Sequence, residues 1–556
     1  MERAPLFHPK LFDCLKGYSK RNFFADLTAG VTVGIVALPL AMAFAIASGA
    51  TPGAGIFTAV IAGFIISALG GSRVQIGGPT GAFVVIVYGI IANYGLDSLL
   101  VCTVMAGVIL FILGITRLGS IIKYIPYPVT TGFTSGIAIL ILSTQIKDFL
   151  GLKIDKMPAD FFPRMESLVD HIGTIQWPTL VLAAASLAVI FLWPKHWARR
   201  VSGSIVAVVL ATIAVTLFKF PVETIGSKFG GIPQGLAHFQ VPDLHWYKLK
   251  HLIAPATTIA ILAAIESLLS AVVADGMIDD KHDSNQELMA QGIANIVTPF
   301  FGGLPATGAI ARTATNIKSG AVSPISGIVH SLVLLVIILI AAPLAKYIPL
   351  AALSAVLIMV AINMAEWHEF RRLAKLPGSD AAVFLTAFIL TVVVDLTIAV
   401  EVGMVMAALL FIKLISETTQ VTEVDETTES EGPHHSIIGK DIPPGVMIYR
   451  IFGAFFFGAA EKLETVLIRA RQEPDILILR VRKVIAMDAT GLNALESLHE
   501  KLRARGKYLI LSGPHMQPYF MMEKAGFLEQ LGRQNVCADL DASLIRAKEI
   551  LAQRSA

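Results

Sequence analysis

Between Leu27 and Ser72 the chain carries no charged residue, and between Ala321 and Ala361 the single exception is Lys346. Runs of this kind fit membrane-spanning helices, which need roughly 20 apolar residues each. The pattern recurs along most of the chain. Apolar segments bounded by Gly, Pro or charge fall near 27–48, 54–71, 79–94, 98–117, 124–150, 176–194 and 202–219. A polar, Gly- and Pro-containing stretch around 221–250 follows. A second set then falls near 253–275, 288–301, 307–317, 323–345, 348–364, 380–396 and 398–415. Seven and seven make about fourteen spans. An odd number in each half makes the second half run opposite to the first, as in inverted-topology transporters.

The fold class expected is therefore an α-helical polytopic membrane protein of 7+7 inverted repeats, with the lipid bilayer as its principal partner. Composition agrees, since 55% of the 556 residues are apolar and 15% charged, far from the balance of a soluble protein. Arg73, Arg117, Lys123, Lys195, Arg199, Arg200, Arg371, Arg372 and Lys375 fall in loops on one side of that count. Positive charge marks the cytoplasmic face, which then holds both termini. The N-terminal stretch is polar, and the first apolar segment is too long for a signal-peptide core, so it is expected to remain as a span. A net charge of +3, scattered over short loops, excludes nucleic acid as a partner. Cys14, Cys102 and Cys537 are far apart and suggest neither a disulfide framework nor a metal site. No phosphate loop or His-x-x-x-His pair appears, so the reading is a non-enzyme without cofactors or metals.

From Glu417 to Glu431 the chain turns acidic and Thr-rich, with Glu423, Asp425, Glu426 and Glu429, and reads as a linker. Beyond it, Val446–Ile451 and Ile476–Val481 read as strands. Glu461–Arg471 and Leu492–Arg505 read as amphipathic helices, the second with an apolar stripe of Leu492, Leu495, Leu498 and Leu502. Strand alternating with helix implies a small α/β domain. The expected divisions are a cytoplasmic N-terminus (1–24), a first repeat (25–220), an extracytoplasmic connection (221–252), a second repeat (253–416), a linker (417–444) and the soluble domain (445–556).

Two segments are unusual. The third and tenth each open on helix-breaking residues, Gly77-Gly78-Pro79-Thr80-Gly81-Ala82-Phe83 and Gly302-Gly303-Leu304-Pro305-Ala306-Thr307-Gly308, in corresponding places of the two halves. Gly and Pro also occur in spans as simple kinks, but a symmetric pair of interrupted segments points to a binding site between discontinuous helices. Each half-helix N-terminus presents unpaired N–H groups and about half a positive charge, which stabilise an anion by ~0.3–2 kcal/mol. Arg312 follows the second opening; it either faces an anion or a water-filled cavity, or snorkels to the interface beside Lys318. Glu266 is the one acid inside the apolar run Ile261–Ala274. It is a candidate for taking up and releasing a coupling proton, against the alternative of a structural ion pair, with Arg312 as a possible partner. Asp395 and Glu401 receive no role.

These stretches resemble the SulP family of anion transporters, also called the sulfate permease or solute carrier twenty-six family, over nearly the whole chain. Asp26–Gly34 with Leu38–Ala43 looks like its first span, Gly77–Phe83 like its third, and Ala264–Gly276 with Asn285–Leu288 like its eighth span and following loop. The tail, with Val484–Leu492, resembles a STAS domain. The resemblance implies core and gate domains, an elevator-like motion, a homodimer and a cytoplasmic STAS domain, and suggests a bacterial inner membrane. It implies a substrate site at Thr80, Gly81, Ala82 and Phe83 with Ala311, Arg312 and Thr313, and a coupling ion at Glu266. Glu266 favours a proton over sodium. Leu40 stands where many sulfate-transporting members have Gln, and the Leu38–Ala43 wording looks more like members that move bicarbonate or C4-dicarboxylates. Thr490 holds the place that is phosphorylated in stand-alone STAS relatives, where a plain helix N-cap is the alternative. The function expected is proton-coupled symport of a small anion (bicarbonate, sulfate or a C4-dicarboxylate), with exchange or sodium coupling as alternatives and a channel or sensor behind them.

Overall fold

The computed structural model describes the whole chain except residues 1–6, 120–125, 155–156, 195–201, 233–234, 236–238, 243–248, 376, 395, 425–436, 457–461, 463–473 and 556. Each apolar segment read from the sequence is occupied by a helix. In the first half these are α1 (Lys20–Ala47), α2 (Pro52–Leu69), α3 (Phe83–Tyr94), α4 (Leu96–Ile115), α5 (Tyr127–Leu150), α6 (Trp177–Leu192) and α7 (Gly203–Phe218). In the second they are α8 (Leu249–Ile278), α9 (Ser284–Val297), α10 (Ile310–Lys318), α11 (Ile325–Ala345), α12 (Leu350–Met364), α13 (Gly378–Val393) and α14 (Leu396–Thr418). Among the described residues, eight helices are long and apolar enough to cross a membrane unaided.

Two of the shorter ones, α3 and α10, have a common cause. Both are cut at their N-terminal ends by the Gly/Pro runs, and the freed backbone pairs with itself. Strand β1 (Gly77–Gly78) lies antiparallel to β2 (Thr307–Gly308), with Gly77 opposite Gly308 and Gly78 opposite Thr307. Backbone polar groups at membrane depth must be satisfied inside the protein, and this two-residue ladder does so where neither helix can.

The helices pack in two sets. α1 and α2 lie against α11, α4 against α9 and α8, and α8 against α10; α5 lies against α12 and α13, and α12 against α6. Small residues set the approach. A Cβ at Gly107 of α4 would fall 2.7 Å from the Gly292 carbonyl oxygen of α9, and one at Gly30 of α1 would fall 2.4 Å from the Ser326 carbonyl oxygen of α11. Close backbone packing of this kind replaces the hydrophobic drive that lipid removes. Asp26 of α1, fully buried, locks the start of α11. Its carboxylate accepts from the Val322 N–H (2.7 Å), the Ser323 N–H (3.0 Å), the Ser323 hydroxyl (2.5 Å) and the Tyr18 hydroxyl (2.6 Å).

The C-terminal unit is an α/β domain with a five-stranded sheet in the order β3 (Gln420–Glu423), β4 (Val446–Phe455), β5 (Ile476–Met487), β6 (Tyr508–Ser512) and β7 (Val536–Cys537). β3 is antiparallel to β4 and the others are parallel. Helices α15 (Ala489–Ala504), α16 (Met516–Lys524), α17 (Phe527–Leu531) and α18 (Leu540–Ser555) complete it. Alternation in β5 sends Leu477 and Leu479 into one core with Leu495, and Ile476 and Ile478 into another with Leu544. The stripe of Leu492, Leu495, Leu498 and Leu502 faces the first core. One expectation is corrected: Gln420–Glu423, read as acidic linker, is a strand. Val421 is its only buried side chain, too little for periodicity to register, and pairing with β4 decides the matter. The expected helix Glu461–Arg471 lies outside the described residues, apart from Lys462, as do Lys123, Lys195, Arg199, Arg200, Asp425, Glu426 and Glu429.

Asp26→Ala strands the buried Ser323 N–H and the half-buried Val322 N–H and is expected to cost roughly 1–3 kcal/mol. Thermal unfolding in detergent should show a Tm several degrees lower, while Tyr18→Phe, which removes one donor to the carboxylate, should move it much less.

Candidate functional site

The site is built around the β1/β2 crossing. Both half-helices begin without a side-chain cap: Ala82 precedes α3 and Ala309 precedes α10, and neither supplies an acceptor to the first turn. Their leading N–H groups therefore keep the partial positive charge of an uncapped N-terminus.

Glu266 lies on α8, which runs past both openings. The Thr80 hydroxyl donates to its Oε2 at 2.8 Å, so the α3 opening and the α8 carboxylate meet directly. Glu266 is partly exposed, whereas Ser267 and Ser270 on the same helix are fully buried. Arg312, 3% exposed, sends Nη2 to the Pro79 carbonyl oxygen. Its Nη1 is buried with no hydrogen-bond partner among the described residues. Gly78 makes room for this guanidinium: its φ is 150°, and a Cβ there would lie 2.6 Å from Nη1. The arginine thus ties α10 to the chain before α3. It does not snorkel.

The other expected residues have different places. Gly81 contacts an apolar wall, with Ile141 Cδ1 and Met364 Sδ each 3.1 Å from a Cβ built there and Phe44 Cε1 at 3.3 Å. Ala82 and Phe83 are buried in the start of α3, and Ala311 is exposed on the first turn of α10. Thr313 is brought near, and its hydroxyl oxygen accepts from the Ile76 N–H at 3.1 Å and from the Ser270 hydroxyl at 3.2 Å, which leaves its own O–H proton as a donor. Its role is to hold the crossing in place. Thr490 is on the exposed first turn of α15, and the N-cap is Asp488, whose carboxylate accepts from the Gly491 N–H at 2.8 Å. Thr490 is therefore not the cap, because Asp488 reaches the N–H first. Asp395 lies outside the described residues.

The sequence reading missed the residues that brace the site. Ser267 and Thr307 hydroxyls meet at 2.7 Å, Thr307 also donates to the Ala263 carbonyl oxygen at 3.0 Å, and the Gly308 N–H donates to Ser267 at 3.0 Å. Asn295 exchanges two bonds of 2.8 Å with the Ala306 backbone. The signal was present: Ala263, Ser267 and Ser270 recur at helical spacing beside Glu266, a small polar face on an apolar span. Among the described residues no group of His, Cys, Asp and Glu could hold a metal ion.

Comparison with known proteins identifies the family. The sulfate permease family model matches residues 23–387, and the STAS domain model matches 438–542. The putative sulfate transporter YvdB of Bacillus subtilis (strain 168) is 43% identical over 94% of this chain and 97% of its own length. The bicarbonate transporter BicA of Picosynechococcus sp. is 31% identical over 91% of each chain. The structure of the murine Solute Carrier 26 family member A9 anion transporter in its inward-facing state is similar in fold, with a TM-score of 0.86 at 19% identity over 97% of this chain and 94% of that one. The chain thus belongs to the sulfate permease family and carries that family's STAS domain behind a multi-span membrane region.

Proposed function

We propose that this protein is a proton-coupled symporter of a small anion, with Glu266 as the coupling group. Anion transport is the coarse function that membership of the family supports. The observation that carries the finer reading is the Thr80–Glu266 hydrogen bond of 2.8 Å, which joins the acid to the opening of a half-helix. An ionised Glu266 accepts the Thr80 hydroxyl and places a negative charge beside the cradle, where it opposes an anion. A protonated Glu266 removes that charge and no longer requires Thr80 as donor, so the hydroxyl turns to the anion. Proton and anion are then held together, with Arg312 and the two N-termini supplying positive potential. The substrate belongs to the class of bicarbonate, sulfate and C4-dicarboxylates. Relatives bear names that cite sulfate and bicarbonate, and Leu40 weighs against sulfate. A homodimer in a bacterial cell membrane, moved by an elevator-like displacement of the site-bearing helices, completes the proposal.

Two measurements test it. Proteoliposomes with an inward proton gradient are expected to accumulate one of labelled bicarbonate, sulfate or fumarate. Glu266→Gln should abolish gradient-driven accumulation while leaving anion exchange; accumulation that persists in Glu266→Gln removes the acid from the coupling role. Arg312→Lys keeps the charge but loses the planar fork that reaches Pro79. It should raise the KM for the transported anion by at least about tenfold, the factor that corresponds to ~1.4 kcal/mol, and Gly78→Ala, which displaces the same guanidinium, should do likewise.

A further inference from the structure

Glu401 is an acid that the site does not use. It lies in the first half of α14, inside the apolar run Ile398–Leu410, and is exposed. A carboxylate in a span is costly and is retained where it faces a cavity or an ion route. Two spaces give it a setting. A cavity of about 500 Å³ opens among the end of α3, the start of α8, Leu140 of α5 and the end of α13, with Asn93, Asp160, Thr258 and Thr391 among its polar lining. These helix ends share the face of the 221–252 connection, extracytoplasmic by the charge pattern of the loops. A far smaller space of about 20 Å³ shares Ile86 and Thr258 with the first and continues along α8 past Ile261 and Ile265, the residue before Glu266. Phe133 of α5 and Met404 of α14 close its other side, and Glu401 is the one charged residue in its lining. Glu401 has no hydrogen bond or ion pair among the described residues. Asp160 is the one charged residue lining the wide cavity, and Glu266 follows Ile265 of the neck along α8.

We propose that Glu401 is a charge filter in the outer access route, a carboxylate in the neck that opposes an unaccompanied anion and draws in the coupling cation with it. The filter acts by charge alone: an anion that enters the neck meets the Glu401 carboxylate in its lining, and like charges repel more strongly there than in bulk water. A cation beside the anion cancels that repulsion. This rests on the reading of the protein as a cation-coupled anion transporter, and adds a selecting group on helix α14, which does not carry the site.

The test is thiol labelling of the full chain in right-side-out membrane vesicles, which needs no transport. Ile261→Cys reports from the neck and Asn93→Cys from the wide cavity, each treated with anionic, cationic and neutral methanethiosulfonate reagents; the chain without either substitution controls for the native cysteines. Glu401→Gln should raise the anionic-to-cationic rate ratio at position 261 by about tenfold and leave the ratio at position 93 within about twofold. Glu401→Asp should keep the original ratio. In the background that retains Glu401, raising the salt concentration should lift the ratio at position 261 by screening, an effect that survives any folding defect of the Gln variant. An equal ratio with Glu, Asp and Gln at 401, insensitive to salt, overturns the filter. Failure of the neutral reagent to modify Ile261→Cys overturns the route. Loss of gradient-driven uptake is scored separately, so a failure of proton coupling at Glu266 is told apart from a failure of the filter at Glu401.

Discussion

Within a bilayer a backbone that leaves the helix has no water to turn to, and this chain leaves it twice at corresponding depths. The pairing of Gly77–Gly78 with Thr307–Gly308 answers both interruptions at once. Each broken segment supplies the hydrogen-bond partner that the other lacks. The rest of the site follows from that ladder. It sets the starts of α3 and α10 beside one another, it brings Pro79 to Arg312, and it lays both openings against α8, where Glu266, Ser267 and Ser270 are waiting. Glycine is required at Gly78 for two reasons that coincide: its φ of 150°, and the space that the Arg312 guanidinium fills.

How much of this could be read from the chain depends on the range of the interaction. The membrane helices were legible because lipid imposes a long apolar run on each, and periodicity hardly matters. The two interrupted segments were legible because Gly and Pro at corresponding places in two halves are improbable as accidents. Glu266 and Arg312 were legible because a charge in an apolar run is costly. Their partners were not. Nothing local says that Thr80, Pro79 and Glu266 are neighbours, since Thr80 and Glu266 are 186 residues apart and only the folded bundle joins them. Thr313 was assigned to substrate on its place in the motif, and nothing local says that its hydroxyl oxygen also accepts from Ile76 and Ser270. Strand β3 was lost for a similar reason: its four residues have one buried side chain, and membership of the sheet comes from a partner strand more than twenty residues away.

The charges around the crossing are arranged by sign. Two uncapped N-termini and one guanidinium supply positive potential, and a single carboxylate, tied to one of those N-termini through Thr80, offsets it. Such a set has two low-energy conditions: ionised acid with no anion, or neutral acid with an anion in place. Symport follows if these two conditions exchange together, because by linkage the affinity for the anion rises with the proton and the affinity for the proton rises with the anion.

That reciprocity can be measured at equilibrium, without a membrane or a gradient. Neutralised sodium sulfate or sodium fumarate, whichever the purified protein binds, is added to a weakly buffered detergent solution while the pH is followed. Coupling at Glu266 predicts uptake of up to about one proton per anion bound, abolished in Glu266→Gln even where that variant still binds the anion. Binding with no proton uptake, or with the same uptake in Glu266→Gln, contradicts the coupling role of this acid.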